Sequence, residues 1–319
     1  MKNFALIGAS GYIAPRHMQA IKDTGNNLVA ALDPYDGIGK MDSNFPQAHF
    51  FTEFERFDRF VDKWHRDNGN KIDYISICSP NYLHDSHIRF ALRSNSFAIS
   101  EKPLVLNPWN IDQLKVIENE TGKKIYNILQ LRLHSSIIAL KEKVSKELKL
   151  NPNKVYDIDL TYLTSRGKWY FVSWKGDESK SGGIASNIGV HFFDMLCWIF
   201  GDVEENKVHL KTDDTNAGYL KLKNANVKWF LSVNYDFIPK NIKEQGLTTF
   251  RSISINDEAI EFSGGFTDLH TRSYEAILKG NGFGLDEAYA SIKIVSDIRN
   301  MQPSGLVGDF HSFCKKIKL

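Results

Sequence analysis

Over the first 130 residues, short apolar runs alternate with helical patterns. The first unit is Asn3-Phe-Ala-Leu-Ile7, a small-residue turn Gly8-Ala-Ser-Gly-Tyr-Ile-Ala14, a polar-apolar helix from Pro15 to Thr24, and a second run, Leu28-Val-Ala-Ala-Leu32, ending in Asp33. Strand, turn, helix and strand then recur, as a doubly wound parallel sheet requires. Ala48–Phe51 reads as a short strand and Glu53–Arg66 as a helix with Phe54, Phe57, Phe60, Val61 and Trp64 on its core face. Asp73–Cys78 is a buried strand, followed by a helix through Tyr82 to Leu92 and a strand over Ser96–Ser100. Asn107-Pro108 opens a helix that runs to Thr121 with Gly122 as its C-cap, and Lys124–Leu129 is a sixth strand. A first domain, residues 1–130, closes there.

The period then changes. A linking helix, Ser135–Leu148, precedes Val155–Leu163, which alternates with period two as a strand with one covered face does. Lys207–Lys211, Gly218–Leu222, Val227–Val233, Arg251–Ile255 and Ala259–Phe262 read similarly. Between them lie a loop, Thr164–Gly183, and a helix from Asn187 to Phe200. Two late helices, Asp268–Leu278 and Leu285–Asn300, pack back on the first domain or beside the second sheet. The expected fold class is α/β: an N-terminal Rossmann doubly wound parallel sheet, then a C-terminal α+β domain over residues 131–319 with an open, mostly antiparallel sheet.

Composition narrows the function classes. Forty basic against 38 acidic residues leave a net charge of +2, so neither nucleic acid nor a membrane surface is expected as a partner. The apolar stretch before Gly8 is too short for a signal-peptide core and no run approaches a membrane span, which makes the cytoplasm the expected location. Cys78, Cys197 and Cys314 are scattered and odd in number, so they form neither a disulfide framework nor a metal set.

Two regions concentrate candidate chemistry. In the first, Gly8 and Gly11, with Tyr12 and Ile13 in the same turn, let the backbone approach a pyrophosphate at a helix N-terminus. Asp33 stands where a carboxylate binds the adenosine ribose diol, and no Arg or Lys precedes Lys40 to receive a 2′-phosphate, so NAD is expected rather than NADP. Ser79, Asn81 and His84 follow a strand's carboxyl end and face the cofactor there, a solvated helix-start histidine being the other reading of His84. Glu101-Lys102-Pro103 ends the next strand with an acid, an ammonium and a proline that rigidifies the bend and admits a cis bond. In the second region, Arg166, Trp169, Tyr170 and Lys175 share a loop, while Asn187 and His191 share a helix face at i, i+4. No second ligand at a fitting offset supports a metal at His191, and no G-x-S-x-G turn supports a serine nucleophile.

Gly8 to His17, Ser76-Ile-Cys-Ser-Pro-Asn-Tyr-Leu-His84, Glu101-Lys102-Pro103 and Asn187-Ile-Gly-Val-His191 together resemble the Gfo/Idh/MocA family of NAD(P)-dependent sugar oxidoreductases. Tyr126 to Arg132, Leu160 to Gly167, Trp174-Lys-Gly-Asp177 and Phe266-Thr-Asp-Leu-His270 are similar to its UDP-N-acetylglucosaminuronate 3-dehydrogenases of bacterial O-antigen synthesis. The resemblance implies that Lys102 touches the reacting sugar hydroxyl and that His191 takes its proton as hydride passes to NAD. It also adds Glu101 and Gln130 to the cofactor contacts and Asn187 to the substrate contacts, at a position where the common family pattern has Asp. Arg166 and Lys175 either pair the carboxylate or diphosphate of an acidic nucleotide sugar or are solvated loop charges, and Trp169 and Tyr170 either cover the nicotinamide or pack the loop. The resemblance further implies NAD regenerated with 2-oxoglutarate and a homotetramer packed through the second-domain sheets. Another sugar or an inositol as substrate, or a regulatory NAD-binding protein without turnover, remains open at this level.

Overall fold

A computed structural model describes residues 1–67, 71–260 and 267–317. Its first strands and helices are β1 (Asn3–Ile7), α1 (Ala14–Asp23), β2 (Asn27–Leu32), α2 (Ile38–Asn44), β3 (His49–Phe51) and α3 (Phe54–Arg66). They continue with β4 (Tyr74–Ile77), α4 (His84–Arg93), β5 (Phe97–Ser100), α5 (Pro108–Thr121) and β6 (Ile125–Asn127). The six strands pair in parallel in the order β3-β2-β1-β4-β5-β6. Helices cover both faces of such a sheet, which is why β1 and β4 are uninterrupted apolar or small-residue runs with Phe4, Ala5, Leu6 and Ile75 wholly buried. Strand order reverses between β1 and β4, so the crevice for a ligand lies beyond their carboxyl ends. Gly122 caps α5 at φ 65°, and Phe57 and Val61 of α3 are core as expected. Phe54 is not: it opens α3, is 41% exposed and stacks on His87 at 5.7 Å.

The second sheet is built from β7 (Tyr156–Thr164), β8 (Val203–Lys211), β9 (Thr215–Leu222), β10 (Ala225–Ser232), β11 (Thr249–Ile255) and β12 (Glu258–Ala259), after α6 (Ser135–Leu150). Its order is β12-β11-β7-β10-β9-β8, with β7 and β10 parallel and the other neighbours antiparallel. Between β7 and β8 run α7 (Lys168–Val172), α8 (Glu178–Ser181), one π-helical turn over Ala185–Gly189 and α9 (Val190–Phe200). The short α10 (Lys240–Glu244) precedes β11, and α11 (Leu269–Leu278) and α12 (Leu285–Asn300) come last. Of the strand expected over Ala259–Phe262, residues 261 and 262 lie outside the described residues, as does Phe266 of the motif ending at His270.

Two compact units result, one of Met1–Gln130 with Thr267–Tyr289, the other of Leu131–Phe266 with Ala290–Leu319. In the first, α11 is packed against α1, and its Tyr274 ring stacks on Phe4 at 5.7 Å. In the second, Phe193 of α9 meets Trp229 of β10 edge-on at 5.5 Å, which seats the helix on the sheet. The expectation that no run approaches a membrane span needs correcting. The 23-residue helical stretch Glu178–Phe200 is long and apolar enough, and 72% of its apolar window is buried inside the protein, the burial that a core helix against an apolar sheet face has.

Candidate active site

In the first unit, Gly8 follows β1 at φ 89°, a conformation that side chains with a Cβ disfavour, and a Cβ there would lie 2.6 Å from the backbone of Cys78 and of Ser79. Only glycine lets the two strand ends come together. The turn then enters α1, whose N-terminus no side chain caps, leaving a helix end suited to an anion. Gly11 donates its N–H back to the Gly8 carbonyl at 3.2 Å, Ile13 is the N-cap residue, and Tyr12 is 87% exposed beside them. Asp33, at the end of β2, accepts from the backbone N–H groups of Ser10 and Tyr35, both at 2.9 Å. Its carboxylate thus braces the turn. Lys40, which stands past this site in sequence, folds back so that its ammonium donates to the carbonyls of Ser10 at 2.5 Å and Gly11 at 3.3 Å.

Beyond β4, Ser79 is buried with its hydroxyl 2.8 Å from His87 Nδ1, and Asn81 is buried in the turn before α4. His84 departs from expectation. Its ring is fully buried, and Nδ1 and Nε2 lie 2.7 Å from the Pro103 carbonyl and 2.9 Å from that of Ser79, so it ties two loops together instead of facing the cofactor. Burial lowers its pKa, outweighing the two carbonyls and Glu101, which raise it. Glu101 also points inward: it is 6% exposed, and Oε1 lies 2.9 Å from Nε2 of both His17 and His270. Lys102 follows with a cis bond to Pro103, and its side chain is half-buried. Gln130, also half-buried, opens the 3₁₀ turn Gln130–Leu133.

The second unit carries the other candidates. Arg166 is exposed just after β7, with Nη1 donating to the Ser165 carbonyl at 3.3 Å, and Lys175 is exposed in the loop between α7 and α8. Trp169 is 79% exposed, while Tyr170 is buried. Asn187, in the π turn, donates from Nδ2 to the Tyr170 hydroxyl at 3.0 Å and the Lys175 carbonyl at 3.2 Å. Because a carbonyl can only accept, the amide must present its NH₂ there. A carboxylate could not make that bond, which gives a physical reason for Asn at this position. His191 stands half-buried one turn on, carried by α9, whose Phe192, Phe193, Met195 and Leu196 are buried. Asp194, on the same helix, takes a bidentate pair from Arg132 at 2.8 Å and 3.0 Å.

Residues 2–128 match the oxidoreductase family Gfo/Idh/MocA, NAD-binding Rossmann fold, and residues 147–242 match its C-terminal alpha/beta domain. A WlbA (WbpB) dehydrogenase from Thermus thermophilus is 50% identical over 98% of this chain and 100% of that one, with a TM-score of 0.93. The chain belongs to the Gfo/Idh/MocA family. Crystal structures of the Thermus relative hold NAD with alpha-ketoglutarate in one case and NAD with UDP-GlcNAcA in another. Among curated relatives, the glucose-6-phosphate 3-dehydrogenase of Bacillus subtilis is 23% identical over 206 residues, 63% of this chain and 54% of that protein. The chain spans between 36% and 54% of the length of the curated relatives it matches.

As a Gfo/Idh/MocA oxidoreductase, the protein uses NAD, and the Gly8 cradle, the uncapped α1 end and Asp33 fit that group. Sequence reasoning met His17 and His270 only as the ends of motifs and gave them no role, and it passed over Tyr274. A signal existed for His17, which lies with Ala14, Met18 and Ile21 on the buried stripe of α1, a place where a histidine needs a partner. Nothing local points from it to α11, more than 250 residues on.

Proposed function

We propose that this enzyme oxidises the 3-hydroxyl of a UDP-2-acetamido-2-deoxyglucuronate-type nucleotide sugar in the synthesis of a surface polysaccharide such as O-antigen. The observation that carries this reading is the 50% identity, across the whole chain, to a dehydrogenase crystallised with NAD and UDP-GlcNAcA. Bound NAD supplies the hydride acceptor. His191 takes the hydroxyl proton, since an imidazole titrates near neutrality, and the Lys102 ammonium stabilises alkoxide character on the same oxygen. Arg166 offers a planar fork to the uronate carboxylate, with Lys175 as a second cation in the loop that Asn187 braces. The presence of both Lys102 and His191 favours turnover over a regulatory role, because a binding module needs neither.

2-Oxoglutarate, the alpha-ketoglutarate of the relative's crystal, is assigned as the acceptor that restores oxidised NAD, itself becoming 2-hydroxyglutarate. A cytoplasmic homotetramer completes the reading, with sedimentation as its check. The deciding experiment offers UDP-GlcNAcA, its neutral UDP-GlcNAc parent, glucose 6-phosphate and an inositol to the NAD-loaded enzyme, with 2-oxoglutarate present, and scores keto-sugar by mass spectrometry. Product from the uronate alone supports the assignment, and preference for any other sugar replaces it.

A further inference from the structure

The acid of the Glu101-Lys102-Pro103 turn is buried among groups that the proposed chemistry does not use. His17 reaches it from α1 and His270 from α11, each with Nε2 at 2.9 Å from Oε1. Behind His17, Nδ1 is 2.8 Å from the Tyr274 hydroxyl, which is 2.6 Å from Ser76 Oγ. One proton assignment satisfies all four contacts: Ser76 donates to Tyr274, Tyr274 to His17 Nδ1, and both imidazoles donate Nε2–H to an ionised Glu101. The other carboxylate oxygen accepts the backbone N–H of Lys102 at 3.2 Å. Burial alone would push the Glu101 pKa up, but the bonds from His17 and His270 outweigh it and hold the carboxyl well below its usual range. The same burial keeps His17 below its ordinary pKa, so it donates as a neutral ring. Among the described residues, Tyr274 from α11, Cys78 after β4 and His84 of α4 also interact electrostatically with Glu101, and Lys102 adjoins it in the chain.

An apolar cluster of the same volume is commonly as stable as a buried ionic one or more so, so filling space does not account for this one. A divalent metal is the other occupant such donors suggest, since one ligand atom from each of His17, Glu101 and His270 lies within 4.8 Å of the others. A metal-bound imidazole, however, passes its second N–H to an acceptor, and among the described residues His270 Nδ1 has no hydrogen-bond partner.

We propose that His17 and His270 are positioning residues for hydride transfer, clamping Glu101 as an anion and thereby fixing the backbone from which Lys102 reaches the sugar oxygen. This rests on the reading of Lys102 as the catalytic cation. His17→Leu and His270→Leu test it beside His17→Gln and His270→Gln, which keep an N–H donor, in the NAD-loaded enzyme. The leucine variants are expected to bind NAD within about threefold of wild type, to keep KM for the sugar, and to lose about 10- to 100-fold in kcat. They should also move the acid limb of kcat to higher pH than in wild type, because with one donor lost Glu101 protonates more readily as the pH falls. The glutamine variants should recover most of kcat and return that limb towards its wild-type position.

A pH-independent loss, or glutamine variants no better than leucine ones, overturns the proposal. So does one equivalent of metal in the purified wild type that His270→Leu releases. If the leucine variants do not fold, Glu101→Gln carries the test, since it removes the anion while keeping an acceptor for both Nε2–H groups: a fall in kcat with NAD binding kept supports the clamp, and wild-type kcat sinks it. Lys102→Met separates the two readings. Normal turnover there removes both, whereas a Lys102-dependent enzyme indifferent to its histidines removes the clamp alone.

Discussion

Lys102→Ala takes away the cation assigned to the alkoxide, and His191→Ala the proton acceptor. Each variant should lower kcat by at least about two orders of magnitude while NAD binding, measured by calorimetry, stays near wild type. Near-normal turnover would strike that residue from the mechanism. Arg166 is a different kind of residue, because its guanidinium is exposed and water screens its charge. Arg166→Ala should lower kcat/KM for the uronate about tenfold or more and leave the neutral UDP-sugar nearly unchanged. An unchanged ratio of the two would pass the carboxylate to Lys175. These candidates were readable because turns and strand ends leave signatures in sequence: Gly8, Asp33 and Lys102 each follow an apolar run. The inward turn of Glu101 and His84 was not, since neither carries a mark telling which side of its loop it faces.

Between elements, the Arg132–Asp194 pair joins the turn before α6 to α9, with side chains 8% and 1% exposed. Arg132→Met strips the guanidinium from a buried carboxylate and should cost about 3–5 kcal/mol in urea unfolding, much of it regained in Arg132→Met/Asp194→Leu. A double variant as unstable as the single one would deny the electrostatic account. Local periodicity located the strands and the longer helices, because parallel strands and amphipathic helices write their burial into short windows, but not the short α2, α7, α8 and α10, of which α7 and α8 lie in the stretch read as a loop. It could not assign partners over long separations. Tyr274 contacts Ser76 across 198 residues and His17 across 257, and neither period nor composition carries that information.

For the molecule as a whole, acid should weaken both units. Burial lowers His87 in the first unit to a pKa of about 4, and His311 in the second to about 4, against 6.5 for the free ring. The unfolded chain therefore takes up protons first, so stability is complete above about pH 6.5 and drains away as the pH falls towards 4, by about 3 kcal/mol per histidine. Urea unfolding across that window checks the sign, and a flat profile refutes it. The first unit draws its chain from two places, and Met1–Gln130 alone lacks the Tyr274 ring and hydroxyl. That fragment should melt without cooperativity, whereas joining residues 267–289 to it through a linker should restore a sharp thermal transition, read by circular dichroism. Protein synthesis gives the same layout a temporal side. A ribosome adding about 5–20 residues per second leaves the first sheet without α11 for on the order of ten seconds after Gln130 is made, while all of 131–266 is translated. Throughout that interval the nascent chain presents the surface of α1 that the late helix will cover, and a holdase chaperone has its longest opportunity there.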